Sequence, residues 1–166
     1  MNIDMLNSLD AAGFAGAVGW IFEHSPWVAE RAFAQRPFTD MDALRRAMVR
    51  QVEQASREEQ LALLRAHPDL GVRGSLSDAS ASEQRGAGLD QMSREEFDLF
   101  TSLNERYKKK FGFPFLYAVK GSTRHEILNA LKTRLDSSPQ DEFAEALRQV
   151  YRIAGFRLGE LSGRIR

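Results

Sequence analysis

Along most of this chain, apolar residues return every third or fourth position, the period of a helix with one buried face. Met41, Leu44, Met48 and Val52 form one such stripe. Phe97, Phe100, Leu103, Tyr107 and Phe111 form a second, and Ile127, Leu128, Leu131 and Leu135 a third. A fourth, Leu147, Val150, Ala154, Leu158 and Leu161, follows the helix-starting pair Ser138-Pro139. No run alternates apolar and polar residues as a half-buried strand does. Start signals agree with the stripes. Ser56 with Glu59, Ser93 with Glu96 and Thr123 with Glu126 have capping-box spacing, and Thr39 or Asp40 caps the helix that runs to about residue 55. Ser25-Pro26 reads as an N-cap with proline at the first helical position of a short helix carrying Trp27, Arg31, Phe33 and Ala34, which Arg36-Pro37-Phe38 ends. In residues 11–22, Gly13, Gly16 and Gly19 weaken a helix but permit a neighbour to come close. The pattern predicts an all-α fold: a single-domain helical bundle over residues 1–166, of about seven to nine helices, with a short extended segment after Pro114.

Two interruptions of the helical pattern carry candidate chemistry. The first is His67-Pro68-Asp69-Leu70-Gly71. Residues 57–66 are helical in pattern, and Pro68 forces His67 out of the helical region. An imidazole at a helix end, on backbone of restricted freedom, suits transfer of one proton with fixed geometry; the same pattern also serves as a plain stop signal. Residues 71–82 then read as a surface loop, and loops of about a dozen residues are uncommon in compact domains unless they have a task. A short helical piece over residues 82–89 follows. Folding back of the loop would bring Glu83 and Gln84 towards His67. The second interruption is residues 113–119, where Pro114 forbids a continuing helix and the residues after it are large and apolar. Their amides need partners, and no sheet supplies them. Either a polar ligand or side chains can do so. Near the end of the chain, Arg157 projects about 20° from Val150 and about 40° from Leu161 around the helix axis, on the buried side. A buried guanidinium needs an anionic or strongly polar partner, which is either a core carboxylate or a substrate anion.

Composition narrows the classes. Charged residues balance, 23 basic against 23 acidic, which argues against nucleic acid or an acidic membrane surface as the main partner. There is no cysteine, so disulfides, thiolate catalysis and Cys-based zinc sites are excluded. The three histidines are far apart; His24 is expected to be exposed and His125 lies in the first turn of a helix, so no metal site is expected. Glycine-rich phosphate loops and Gly-x-Ser-x-Gly elbows are absent. Lys108, Lys109 and Lys110 suit the negative pole of a helix, and also read as a phosphate patch. No apolar run reaches the roughly 18 residues of a spanning helix. Neither the opening residues nor Gly163-Arg164-Ile165-Arg166 carries a targeting signal, so the cytoplasm is the expected compartment.

Several segments together resemble the OHCU decarboxylase family, the 2-oxo-4-hydroxy-4-carboxy-5-ureidoimidazoline decarboxylases of uric acid degradation. They are His67-Pro68-Asp69-Leu70-Gly71, Ser82-Glu83-Gln84 with Ala87-Gly88-Leu89, Tyr107-Lys108 and Phe111-Gly112-Phe113-Pro114-Phe115, in that order. Ser25-Pro26-Trp27-Val28-Ala29-Glu30, Arg36-Pro37-Phe38 and the stretch containing Arg157 match as well. The resemblance implies an all-helical, cofactor-independent carboxy-lyase, usually a homodimer, whose small-molecule ureidoimidazoline substrate becomes (S)-allantoin and carbon dioxide. It makes His67 the catalytic acid, with Glu83, Gln84 and Arg157 as companions. Pro68, Ser80, Ala81 and Ser82 would line the site, and the backbone of Phe115, Leu116, Tyr117, Ala118 and Val119 would meet the ring's polar edge. Two rivals remain: a non-catalytic helical binding module, and hydrolysis of 5-hydroxyisourate, a chemistry usually found on β-rich folds.

Overall fold

The structure is a computed structural model and describes residues 1–71 and 76–163. Among these residues it holds nine α-helices and no strand, as the periodicity predicts. In chain order they are α1 (Ile3–Ser8), α2 (Ala11–Val18), α3 (Trp27–Ala32), α4 (Met41–Glu53), α5 (Arg57–Arg65), α6 (Asp78–Gly86), α7 (Arg94–Phe111), α8 (Arg124–Arg134) and α9 (Pro139–Leu161). Two single 3-10 turns, Gly19–Ile21 and Phe33–Gln35, follow α2 and α3. The chain forms two compact units, one of residues 1–66 with 151–166 and one of residues 67–150.

In the first unit, the buried faces of α2 to α5 carry Phe14, Val18, Val28, Ala32, Leu44, Met48, Val52, Leu63 and Leu64. Each fully buried large apolar side chain contributes about 1.5–3 kcal/mol relative to exposure. Asp40 rather than Thr39 caps α4, accepting from Ala43 N–H at 2.7 Å. Ser56 and Glu59 complete the predicted capping box of α5. Two local expectations change. Ser25 does not cap α3: its hydroxyl donates to the Glu23 carbonyl at 3.0 Å, and Pro26 occupies the cap position without a side-chain bond. Of the three glycines Gly13, Gly16 and Gly19, only Gly19 receives a close neighbour from further along the chain: a Cβ there would lie 3.4 Å from Pro26 Cβ. A Cβ at Gly16 would meet nothing within 4 Å, and at Gly13 it would meet only Asp10 and Leu9 at the same helix's own start.

In the second unit, α7 and α8 open on the predicted capping boxes, and Gly112 ends α7 in the left-handed region at φ 82°. An aromatic cluster fills the interior. The Tyr107 ring meets Phe111, Phe113 and Phe115 at centroid distances of 4.6, 5.9 and 5.4 Å, and Phe113 meets Phe143 edge-on at 5.9 Å. The main departure from expectation is α6. It begins at Asp78, not residue 82, because the Ser77 hydroxyl accepts from Ser80 N–H at 3.1 Å and supplies a cap. The expected long loop is shortened accordingly, and its residues 72–75 lie outside the described residues.

Candidate functional site

The end of α5 delivers His67. The Ala66 N–H bonds to the Ala62 and Leu63 carbonyls at 3.0 and 3.3 Å, tightening the last turn, and Pro68 prevents another. His67 is 7% exposed, with Pro68 and Asp69 half-buried and Leu70 and Gly71 buried behind it. Asp69, Leu70 and Gly71 are each held by a different side chain. Lys108 pairs with Asp69 at 2.8 Å, Asn104 Nδ2 donates to the Leu70 carbonyl at 2.9 Å, and the Gly71 N–H donates to Gln84 Oε1 at 3.0 Å. Gly71 has φ 77°, a backbone state that favours glycine.

Two of these tethers come from α7 and one from α6. Asn104 and Lys108 are one turn apart on α7, so a single helix face grips two successive loop residues. On α6, Ser80 and Gln84 are buried one turn apart, Ala81 and Glu83 are half-buried, and Ser82 is exposed. Gln84 thereby anchors α6 to the loop that follows His67, at Gly71. Asn104 is a site residue that sequence reasoning missed. Its signal was an amide directly after Leu103 on an otherwise apolar face.

Residues 114–119 run without regular secondary structure, and all but Tyr117 are buried. Side chains take up part of their backbone. Arg134 Nη1 donates to the Leu116 carbonyl at 2.5 Å, and the Ala118 N–H donates to Gln149 Oε1 at 2.9 Å. Arg134 is itself held by Glu142, at 2.6 and 3.1 Å from Nε to the two carboxylate oxygens, and its guanidinium lies 4.5 Å over the Phe115 ring. Burial pushes the nearby Tyr107 phenol well above its ordinary pKa, so it stays neutral. Neither Arg134 nor Gln149 stood out in the sequence.

Arg157 is 1% exposed, on the buried side of α9 as its helical angle predicts. It lies in the first unit, where its Nη1 donates to Glu23 Oε1 at 3.3 Å and to the Trp20 and Ile21 carbonyls at 3.2 and 3.4 Å. A core carboxylate, Glu23, is thus among its partners. His24 and His125 are exposed. Among the described residues no three His, Asp or Glu side chains converge as a metal site requires, and no helix is long and apolar enough to cross a membrane.

Fold and site define an all-helical protein built around one imidazole at a helix end, whose loop is fastened by polar side chains of two further helices. Comparison with known proteins is specific: the OHCU decarboxylase family model matches residues 7–159, and the chain belongs to that family. It is 51% identical over 160 residues to the 2-oxo-4-hydroxy-4-carboxy-5-ureidoimidazoline decarboxylase of Haloferax volcanii, covering 96% of this chain and 95% of that one. It is 46% identical to the uric acid degradation bifunctional protein PucL of Bacillus subtilis, a match that covers 96% of this chain but spans only 32% of that longer protein. Among solved structures, (S)-allantoin synthase matches with a TM-score of 0.77 and 34% identity, over 97% of this chain and 54% of that one. An OHCU decarboxylase crystallised in the presence of (S)-allantoin matches with a TM-score of 0.72 and 28% identity, over 86% and 95% of the two chains.

Proposed function

We propose that this chain decarboxylates 2-oxo-4-hydroxy-4-carboxy-5-ureidoimidazoline to (S)-allantoin, with His67 as general acid. The observation that carries the reading is family membership over nearly the whole chain, together with the tethered His67 loop. Breaking the bond to the carboxylate leaves its electron pair on the ring as an enolate-like species. Preorganised donors stabilise that charge as it develops, and main-chain amides of residues 115–119 other than Ala118, whose N–H is held by Gln149, are suited to the task. The imidazolium of His67 then delivers a proton to one face of the carbon, which sets a single stereochemistry. Acid catalysis of this kind contributes about 10²–10⁴-fold. Glu83 and Gln84 act beside His67; Pro68, Ser80, Ala81 and Ser82 line the substrate. The share of Arg157 in substrate binding rests on the family resemblance alone.

The test generates the unstable substrate in place from urate and follows optical activity. Growth faster than in the protein-free blank is the expected result, while an unchanged rate favours a binding module and faster loss of 5-hydroxyisourate favours a hydrolase. In the same assay His67→Ala is expected to abolish stereospecific allantoin formation with its helical circular dichroism intact; a near-native rate would remove His67 from its role. We also propose a homodimer acting in the cytoplasm, the first of which light scattering of the purified chain decides.

A further inference from the structure

The segment after Pro114 has an arrangement that the family resemblance does not explain. A sheet would hold such a backbone through its ladder; here two side chains from different helices do it. In a trans peptide group the carbonyl and the following N–H point in opposite directions, and the cis bond among the described residues is elsewhere, at Arg36-Pro37. The Leu116 carbonyl is fixed on Arg134. The Tyr117 N–H, in the same plane, therefore points away from Arg134. The Ala118 N–H is fixed on Gln149. The Tyr117 carbonyl, in that plane, therefore points away from Gln149. Two anchors thus orient both peptide groups that flank one residue. Among the described residues neither main-chain group of Tyr117 meets a hydrogen-bonding partner, and Tyr117 is the half-buried position in an otherwise buried run from 113 to 119.

We infer that Arg134 and Gln149 are positioning residues for the reaction, which turn the main-chain N–H and C=O of Tyr117 outward as a donor and acceptor pair for the amide edge of the substrate ring. The inference rests on the reading of residues 115–119 as substrate-facing. The anchors are themselves braced. Glu142, 1% exposed, grips the Arg134 fork, and Gln149 Nε2 donates to Glu145 Oε1 at 2.9 Å, which fixes which end of the Gln149 amide faces Ala118. A cyclic amide or ureide offers a donor next to an acceptor, the complement of one exposed peptide edge.

Substitutions at Gln149 separate aim from stability. Gln149→Leu removes the acceptor for Ala118 N–H; kcat is expected to fall about 10- to 10²-fold, the scale of a small misplacement at a reacting group. The double exchange Glu145→Gln with Gln149→Glu reverses the brace but returns an acceptor oxygen to Ala118, and is expected to restore most of kcat. Arg134→Lys keeps the charge opposite Glu142 but loses the planar fork, and is expected to resemble Gln149→Leu. Amide NMR with (S)-allantoin as the probe tests the underlying reading separately. A shift of the Tyr117 amide signal in the unaltered protein, lost in Gln149→Leu, supports both. Absence of that shift in the unaltered protein overturns the substrate-facing reading. A shift that persists in Gln149→Leu with kcat unchanged, or a double exchange that regains thermal stability but not kcat, overturns the positioning role alone.

Discussion

Glu23 and Arg157 each expose about 2% of their side chains, and a charge buried to that degree is tolerated only with a partner. Removing Glu23 leaves the buried Arg157 guanidinium without this carboxylate to balance its charge. Glu23→Ala is therefore expected to cost about 3–5 kcal/mol in urea unfolding, far more than loss of an exposed pair. Gly71 poses a different problem. At φ 77° a side chain is strained by about 1–2 kcal/mol, and a Cβ there would lie 2.7 Å from Met92 Cε, the movable tip of a flexible side chain. Gly71→Ala is expected to lower stability by about that backbone cost. It should lower turnover further, because the Gly71 N–H is the group that Gln84 holds; unfolding and optical-activity assays on one preparation compare the two losses.

Among the elements, α7 matters most to the site, because its register decides where Asn104 and Lys108 meet the His67 loop. Its start is set by a reciprocal cap in which Ser93 Oγ accepts from Glu96 N–H and Glu96 Oε1 accepts from Ser93 N–H, both at 3.1 Å. Ser93→Ala is expected to cost about 1 kcal/mol of stability, read as a lower denaturant midpoint at unchanged slope. All three capping boxes were legible in the sequence because the signal is local: two residues three apart satisfy each other's backbone donors. The start of α6 was not. Ser77 has no glutamate three residues on, and the helix has few apolar residues to announce it.

For the molecule as a whole, three carboxylates with lowered pKa make stability depend on pH in the acid range. Glu59 is held below its ordinary 4.5 by hydrogen bonds from Arg31 and from the Ser56 backbone, and Glu96 by the Ser93 N–H and then Arg124. At Glu145 burial works upward, but hydrogen bonds from Gln149 and Arg148 together outweigh it and the pKa is lowered. A carboxylate whose folded pKa is depressed contributes stability above its unfolded pKa and loses it as pH falls through the folded value. The denaturant midpoint should therefore hold steady with respect to these groups above about pH 5 and decline below about 4.5. Glu96→Gln is expected to make that decline shallower. These pairs occur in both compact units, Glu59 in one and Glu96 and Glu145 in the other, so the acid loss is not confined to one of them.

The helical character of the chain, most helix limits, the break at His67 and the burial of Arg157 are all properties of neighbouring residues, and the sequence by itself determined them. Periodicity, caps and proline act within one or two turns, so they can be read along a line. Partner choice cannot. Glu23 lies 134 residues from Arg157, Asn104 lies 34 from Leu70, and Gln149 lies 31 from the amide it holds. No local pattern encodes such a pairing, because it exists only once helices distant in the chain pack together and a buried polar group must find whatever complement the packing brings within reach. Tertiary structure alone therefore decided which side chains fasten the His67 loop and which turn the backbone at Tyr117 outward.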